Sequence, residues 1–174
     1  MKKVSKIMML VLMTSIMATV GCTKEGKEGV AGTNGKDGNA NVQSTILEAS
    51  STGNWTWNSG ASWREATWTR INQLSAEAIN SGGIMLYQQD GSGNYFPLPI
   101  TVKYGGITEN DWFTFGQESV TVVVQNLDNS DPIGQIPIPT RYRLVVIPPA
   151  ARLANPEVNM MNYYEVKGFY NLKD

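Results

Sequence analysis

The sequence of 174 residues contains no histidine, and Cys22 is its single cysteine. Without histidine, the chain lacks the commonest general base of enzymes and most patterns of zinc ligands. With one cysteine it cannot form an internal disulfide, so a hydrophobic core must stabilise the fold. The sequence also lacks a nucleophile elbow, a Ser-x-x-Lys motif and a Gly-Lys-Ser/Thr phosphate-binding loop. We therefore expect a protein that is not an enzyme and needs no cofactor.

An excess of basic charge is absent as well, since 14 Lys and Arg face 15 Asp and Glu. Three of the basic residues, Lys2, Lys3 and Lys6, lie at the extreme N-terminus. The remainder of the chain is therefore mildly acidic. A basic patch supplies most of the affinity of proteins for nucleic acids, so we expect no nucleic-acid partner.

One apolar run is present, at residues 7–20, and it ends at Thr19-Val20-Gly21-Cys22. The run is shorter than the roughly 20 residues that a membrane-spanning helix needs. Together with its basic start it resembles a bacterial lipoprotein signal with a lipobox, although Thr19 stands where such motifs usually carry Leu. The resemblance implies that residues 1–21 are removed and that Cys22 receives a diacylglycerol anchor. An ordinary secretory signal would leave the cysteine at the cleavage site unexplained.

Residues 22–40 form a polar segment in which glycine recurs at every third position, at Gly26, Gly29, Gly32, Gly35 and Gly38. This Gly-X-Y period is typical of the collagen triple helix, but none of these triplets contains proline. We interpret the segment as a flexible spacer. A short triple helix, which would require a trimeric protein, is the alternative. Lys24-Glu25 resembles the export signal of surface lipoproteins, with a plain charged linker as an equal alternative.

From residue 41 to residue 174 the pattern indicates one globular domain with a hydrophobic period of two. In residues 119–127, for example, Val120, Val122 and Val124 alternate with polar residues. The pattern predicts a mainly β fold, an antiparallel β-sandwich-like domain, with strands near residues 42–48, 62–70, 84–89, 95–103, 111–115, 119–127 and 140–147. Pro97 and Pro99 cannot donate ladder hydrogen bonds, so residues 95–103 should lie at a sheet edge.

Two short helices are predicted within this domain. Ser75 is a candidate N-cap for a helix through Asn80, with Gly82 ending it in the left-handed conformation. Asn162 and Glu165 have the spacing of a capping box. The following residues Tyr163, Val166 and Tyr170 share one helical face, which suits docking against a sheet.

The order of lipobox, Gly-X-Y triplets and an Asn-Ala-Asn-Val opening at residues 39–42 resembles collagen-like lipoproteins of Bacteroidota-type bacteria. The resemblance continues in the motifs at residues 83–87, 95–99, 141–148 and 164–167. It implies an exported protein that is lipid-anchored at the outer membrane, on the cell surface. The matching motifs are structural, so the resemblance implies no particular activity.

Carboxylates are the remaining candidates for chemistry. Glu109 and Asp111 are two residues apart and would point to the same face of a strand, as a carboxylate-dependent glycosidase would require. We expect instead a solvated loop before a strand, because no neighbouring residue suggests a raised pKa. The loops at residues 90–94 and 128–131 offer oxygen ligands for Ca²⁺, but Asp and Asn also favour turns. We expect no metal site.

Tryptophan most strongly suggests a binding role. Trp55, Trp57, Trp63 and Trp68 fall within fourteen residues, and Trp112 follows later. We expect most of them to be core residues, with Trp55 and Trp57 as candidate ligand-binding residues because their flanks are polar. Aromatic rings among amides and hydroxyls suit sugars. The sequence therefore favours a surface-anchored, non-enzymatic binding or adhesion module for polysaccharide. A structural envelope protein that forms a trimeric stalk is the alternative, and a glycosidase a third.

Overall fold

The computed structural model describes residues 41–173. The predicted signal peptide, the lipidated Cys22 and the Gly-X-Y spacer lie outside the described residues. Alternation of polar and β-branched residues produces nine strands. They are β1 (Gln43–Ala49), β2 (Thr56–Asn58), β3 (Trp63–Thr69), β4 (Gly83–Gln89), β5 (Tyr95–Pro97), β6 (Ile100–Tyr104), β7 (Ile107–Gly116), β8 (Ser119–Asn126) and β9 (Thr140–Ile147).

These strands form two antiparallel sheets, which confirms the predicted mainly β, sandwich-like fold. Sheet I has the order β1-β9-β4-β5, and sheet II has the order β2-β3-β8-β7-β6. The side chains between the sheets form the main core, whose buried members include Leu47, Trp55, Leu74, Leu86, Leu98, Val120, Val122, Val124, Leu144 and Val146. Strands β5 and β6 are neighbours in sequence but are edge strands of different sheets. The predicted edge position of residues 95–103 is therefore confirmed.

Three short helices accompany the sheets: α1 (Ala76–Ser81), α2 (Pro149–Ala154) and α3 (Tyr163–Phe169). Tyr163 and Val166 of α3, with Tyr170 after it, are buried against Tyr87 and Val145 on the outer face of sheet I. The predicted docking face is therefore confirmed. The Asn162 side chain accepts hydrogen bonds from the backbone N–H groups of residues 164 and 165.

Several local predictions are wrong. Gly82 is extended rather than left-handed (φ −84°, ψ −173°). A glycine is still required there, because a Cβ would lie 2.6 Å from the carbonyl oxygen of Ala78 and 2.7 Å from that of Ile147. Glu165 accepts from the backbone of Asn159 instead of completing a capping box. Helix α2 and strand β2 were not predicted from the sequence.

Two strand boundaries differ from the prediction in a way that affects function. The segment at residues 95–103 is not one strand, because the chain leaves sheet I after Pro97 and joins sheet II at Ile100. Strand β7 begins at Ile107 instead of residue 111. This earlier start includes Glu109 and Asp111 in the sheet.

Within residues 41–173, no helix is both long enough and apolar enough to cross a bilayer.

Candidate binding cleft

The inner faces of the two sheets change from apolar to polar along the strands. In β4 the inward residues run from Leu86 to Gln88, and in β9 from Leu144 to Tyr142, with Gln88 opposite Tyr142. In sheet II, Val120, Val122 and Val124 precede Asn126 on the inner face of β8. Asn126 is the register partner of Glu109 in β7. We call the resulting group of Gln88, Glu109, Asp111, Asn126 and Tyr142 the polar end of the sandwich.

A tight hairpin positions the two carboxylates of the polar end. Gly105 and Gly106 both have positive φ, 54° and 99°, as the two central residues of a type I′ turn require. This turn fixes the register of β6 against β7, so that Val102 pairs with Glu109 and Ile100 pairs with Asp111. The Gly-Gly pair between two alternating segments is the sequence signal that would have identified β6 and β7 and placed both carboxylates on the same face of β7.

The polar end is buried and incompletely hydrogen-bonded. Glu109 and Asp111 are each 2% exposed, and Asn126 and Tyr142 are fully buried. Five of its oxygens have no hydrogen-bond partner among the described residues: Gln88 Oε1, Glu109 Oε2, Asp111 Oδ1, Asn126 Oδ1 and Tyr142 Oη. The Asn126 amide orientation is fixed, because its Nδ2 donates to Ser130 Oγ over 2.9 Å. Unpaired buried polar groups are costly, so such a concentration requires an explanation.

The two carboxyl groups of the polar end share a proton. Burial, followed by the charge of Glu109, raises the pKa of Asp111 to about 8. Burial also raises the pKa of Glu109. With a pKa of about 8, Asp111 carries the proton of this pair at neutral pH.

A cleft of about 380 Å³ opens from the polar end to the surface. It lies between the edge strands β5 and β6, where the two sheets diverge. Its apolar walls come from Phe96, Ile100, Val102, Tyr104 and Pro137, and its polar groups come from Gln88, Gln89, Asp90 and Asp111. Phe96 is 44% exposed and Tyr104 is 41% exposed, so both rings are accessible to a ligand. The charges of Glu109 and Asp111 contribute, after burial, to a raised pKa of Tyr104.

The structure corrects our expectation for Glu109 and Asp111. They do not lie in a solvated loop, because β7 carries both of them into the space between the sheets. The expectation that nothing nearby raises a pKa is also wrong, since burial alone is sufficient. Only Asp111 lines the cleft, however, whereas a glycosidase places both of its carboxylates beside the bound sugar.

The structure separates the two tryptophans that were predicted to bind a ligand. Trp55 is 3% exposed and belongs to the main core, so it cannot stack on a ligand at the surface. This prediction failed because the polar flanks of Trp55 belong to a loop and do not report the environment of the ring. Trp57 is half-buried, and the guanidinium carbon of Arg64 lies 5.7 Å from its ring centroid. Asp131 holds Arg64 there through hydrogen bonds of 2.6 and 2.8 Å.

The two oxygen-rich loops use their carboxylates locally. Asp90 accepts hydrogen bonds from the backbone N–H groups of Ser92 and Asn94 within its own turn. Asp128 does the same with Ser130, and Asp131 pairs with Arg64. Within the described part of the chain, no group of three or more His, Cys, Asp or Glu could hold a metal ion. The turn chemistry therefore accounts for these residues.

Comparison with known proteins adds no relative, because no family model, curated protein or solved structure matches the chain. The function must therefore be argued from the cleft.

Proposed function

We propose that this domain is a non-enzymatic binding module that holds a carbohydrate in the cleft between β5 and β6. The observation that carries the proposal is the pair of exposed aromatic rings, Phe96 and Tyr104, at a concave site with polar groups at its base. Small-molecule sites are typically concave and mostly apolar, with a few polar groups that fix orientation. The cleft has this composition.

The arrangement suits a sugar better than a purely apolar ligand. Aromatic rings offer faces on which the C–H surface of a sugar ring can stack. The side chains of Gln88 and Gln89 supply amide donors and acceptors for hydroxyl groups. The unpaired oxygens of Gln88 and Asp111, which both line the cleft, would accept further hydrogen bonds from such a ligand. These features replace Trp55, which is buried, as the basis for carbohydrate binding.

The same geometry argues for binding without hydrolysis. A glycosidase of either type leaves room between its carboxylates for the sugar or for a water molecule. Here Asp111 lines the cleft but Glu109 does not, so only one of the two carboxyls can contact a sugar bound there. The trimeric stalk, our alternative from the sequence, rests on the Gly-X-Y segment outside the described residues, and no feature of the domain favours it.

A glycan-array assay of the full chain, purified in detergent, tests the proposal. We expect binding to at least one polysaccharide class and a loss of at least tenfold in affinity in Phe96→Ala and in Tyr104→Ala. Phe115→Ala is the matched control, because Phe115 is 43% exposed but does not line the cleft. Equal losses in Phe96→Ala and Phe115→Ala, or no binding to any glycan, would contradict the proposal.

Cys22 supports a further part of the proposal, that the module is lipid-anchored at the outer membrane and faces the cell exterior. The support is the sequence order of basic start, apolar run and cysteine. Intact-mass measurement of the mature protein should show the added mass of the lipid on Cys22, and Cys22→Ser should abolish that addition. A variant that still enters the detergent phase with unchanged mass would overturn the anchor.

A further inference from the structure

The buried base of the cleft points to a specific ligand chemistry, because its free groups are almost all acceptors. Four of the five unpaired atoms at the polar end are carboxylate or amide oxygens. The fifth, Tyr142 Oη, belongs to a side chain that is fully buried against the two carboxyls. Of these atoms, Gln88 Oε1 and Asp111 Oδ1 belong to residues that line the cleft, so a ligand group that satisfies them must donate hydrogen bonds. An ammonium group, with three donors and no acceptor, meets this requirement.

The charge of the cleft favours the same ligand. Asp90 lies on its rim and Asp111 at its base, with Glu109 directly behind, whereas no Lys or Arg lines it among residues 41–173. A cationic ligand would therefore meet acidic side chains and no basic one. The exposed rings of Phe96 and Tyr104 offer π faces that attract organic cations.

A metal ion would fit less well than an organic cation. Calcium takes six to eight oxygen ligands, and magnesium retains several waters in an octahedral shell. This cleft has apolar walls on both sides, and the described residues lack a cluster of three ligating side chains. Its volume of about 380 Å³ lies in the range of pockets for small organic molecules.

We propose that the cleft selects sugars that carry a free amine, with the ammonium group bound by Asp111 and Gln88 at the buried base and the sugar ring against Phe96 and Tyr104. This inference rests on the proposed function and specifies its ligand. Neutral sugars lack the charge, and N-acetylated sugars carry an amide with a single N–H in place of the ammonium group.

Binding should also release a proton. The titratable groups that face this site are Asp90, Glu109, Asp111, Tyr104 and Tyr142, and of these Asp111 holds the shared proton in the free protein. A bound ammonium favours the ionised carboxylate, so the proton on Asp111 leaves to solvent when the ligand binds. At about pH 5.5 the ligand amine is already protonated, so it takes up no proton that would mask this release.

The test is isothermal titration calorimetry of the full chain in detergent with three β-1,4-linked hexamers, of glucosamine, N-acetylglucosamine and glucose. At about pH 5.5, in two buffers of different ionisation enthalpy, we expect the glucosamine hexamer to bind at least tenfold more tightly than the others. Only the binding of that hexamer should cause the protein to release about one proton per site. Asp111→Asn should abolish both the preference and the proton release.

A matched variant and the neutral sugar separate the possible failures. Glu77→Gln removes the same charge from the exposed surface of α1, outside the cleft, so it should retain the preference. If all three hexamers bind equally, or if Asp111→Asn retains the preference, the amine inference fails while the proposed function stands. If no hexamer or array glycan binds, both fail. Retained binding of the glucose hexamer by Asp111→Asn would show that this variant is folded.

Discussion

The two ends of the sandwich interior are built from the same strands but follow opposite rules. Around Leu86, Val122 and Leu144 the interior is apolar and fully buried. A few residues along the same strands, the polar end contains two carboxyls that share a proton and five oxygens without partners in the described structure. The apolar end stabilises the fold. The polar end lowers the free energy of unfolding, because buried polar groups carry a desolvation cost that hydrophobic residues would not.

This difference indicates where the molecule is adapted for something other than stability. Buried polar groups are normally hydrogen-bonded, and those that are not tend to occur at functional sites. Here they are concentrated where the cleft between β5 and β6 reaches the interior. Substitutions at the two ends should therefore have opposite effects on the free energy of unfolding, and three predictions test this contrast.

The largest effect is expected at the apolar end. Leu144→Ala should lower the free energy of unfolding by about 3 kcal/mol, because Leu144 is 1% exposed and its truncation leaves a cavity in a packed core. Urea denaturation measures this change. Leu153→Ala is the control, since Leu153 is 80% exposed and should change stability by less than about 0.5 kcal/mol. Similar losses in the two variants would contradict the assignment of the core.

The next largest effect is expected at the polar end, where replacing Asp111 should raise the free energy of unfolding. The pKa of Asp111 is about 8 in the folded protein and near 4 in an unfolded chain. The folded state therefore holds more protons than the unfolded state between about pH 4 and pH 8. The free energy of unfolding should fall as the pH rises through that window and level off above it. The raised pKa of Glu109 acts in the same direction.

Asp111→Asn should remove most of this pH dependence and should raise the free energy of unfolding at about pH 8.5 by roughly 2 kcal/mol. Urea denaturation at about pH 5 and pH 8.5 measures both effects. Glu77→Gln, on the exposed surface of α1, should retain the wild-type pH dependence. Wild-type stability that rises across this window would contradict the protonated pair. A stabilised Asp111→Asn that no longer binds the amine ligand would show that the carboxyl acts in function at the expense of stability.

The sequence was sufficient to predict the apolar part of this architecture. Alternation of apolar with polar residues identified β9 at residues 140–147 to the residue, and it identified the alternating buried valines of β8. Burial on one face is a property of each strand by itself, so a local pattern reveals it. The edge position of β5 and β6 was also predictable, because proline cannot donate to a ladder.

The cleft could not be predicted in the same way. The polar sequence around Glu109 and Asp111 is typical of a loop, and only the Gly105-Gly106 hairpin and the pairing with Asn126 show that both carboxyls point inward. Gln88 and Tyr142 join them from the opposite sheet, which no local pattern encodes. The prediction that Trp55 binds a ligand was wrong for a related reason, since the burial of its ring depends on contacts distant in sequence. The cleft thus depends on how the two sheets come together.

The smallest predicted effect compares two fully buried tyrosines. Tyr87 Oη donates to the carbonyl oxygen of Met160 over 2.7 Å, outside the polar end, whereas Tyr142 Oη has no partner within residues 41–173. Tyr87→Phe should therefore lower the free energy of unfolding by about 1 kcal/mol, because it removes a hydrogen bond from the carbonyl of half-buried Met160. Tyr142→Phe removes only an unpaired hydroxyl, so it should leave stability unchanged or raise it by up to about 1 kcal/mol.

The contrast between these variants is informative because the chemical change is identical and both rings stay in place. Urea denaturation of both proteins under the same conditions measures the difference in their free energies of unfolding. Equal losses would show that the Tyr142 hydroxyl is satisfied in solution, for example by an ordered water, and that the polar end is less strained than its geometry indicates. If only Tyr87→Phe is destabilised, the Tyr142 hydroxyl contributes nothing to the folded state alone. Its place beside the two carboxyls would then be explained by what the cleft binds.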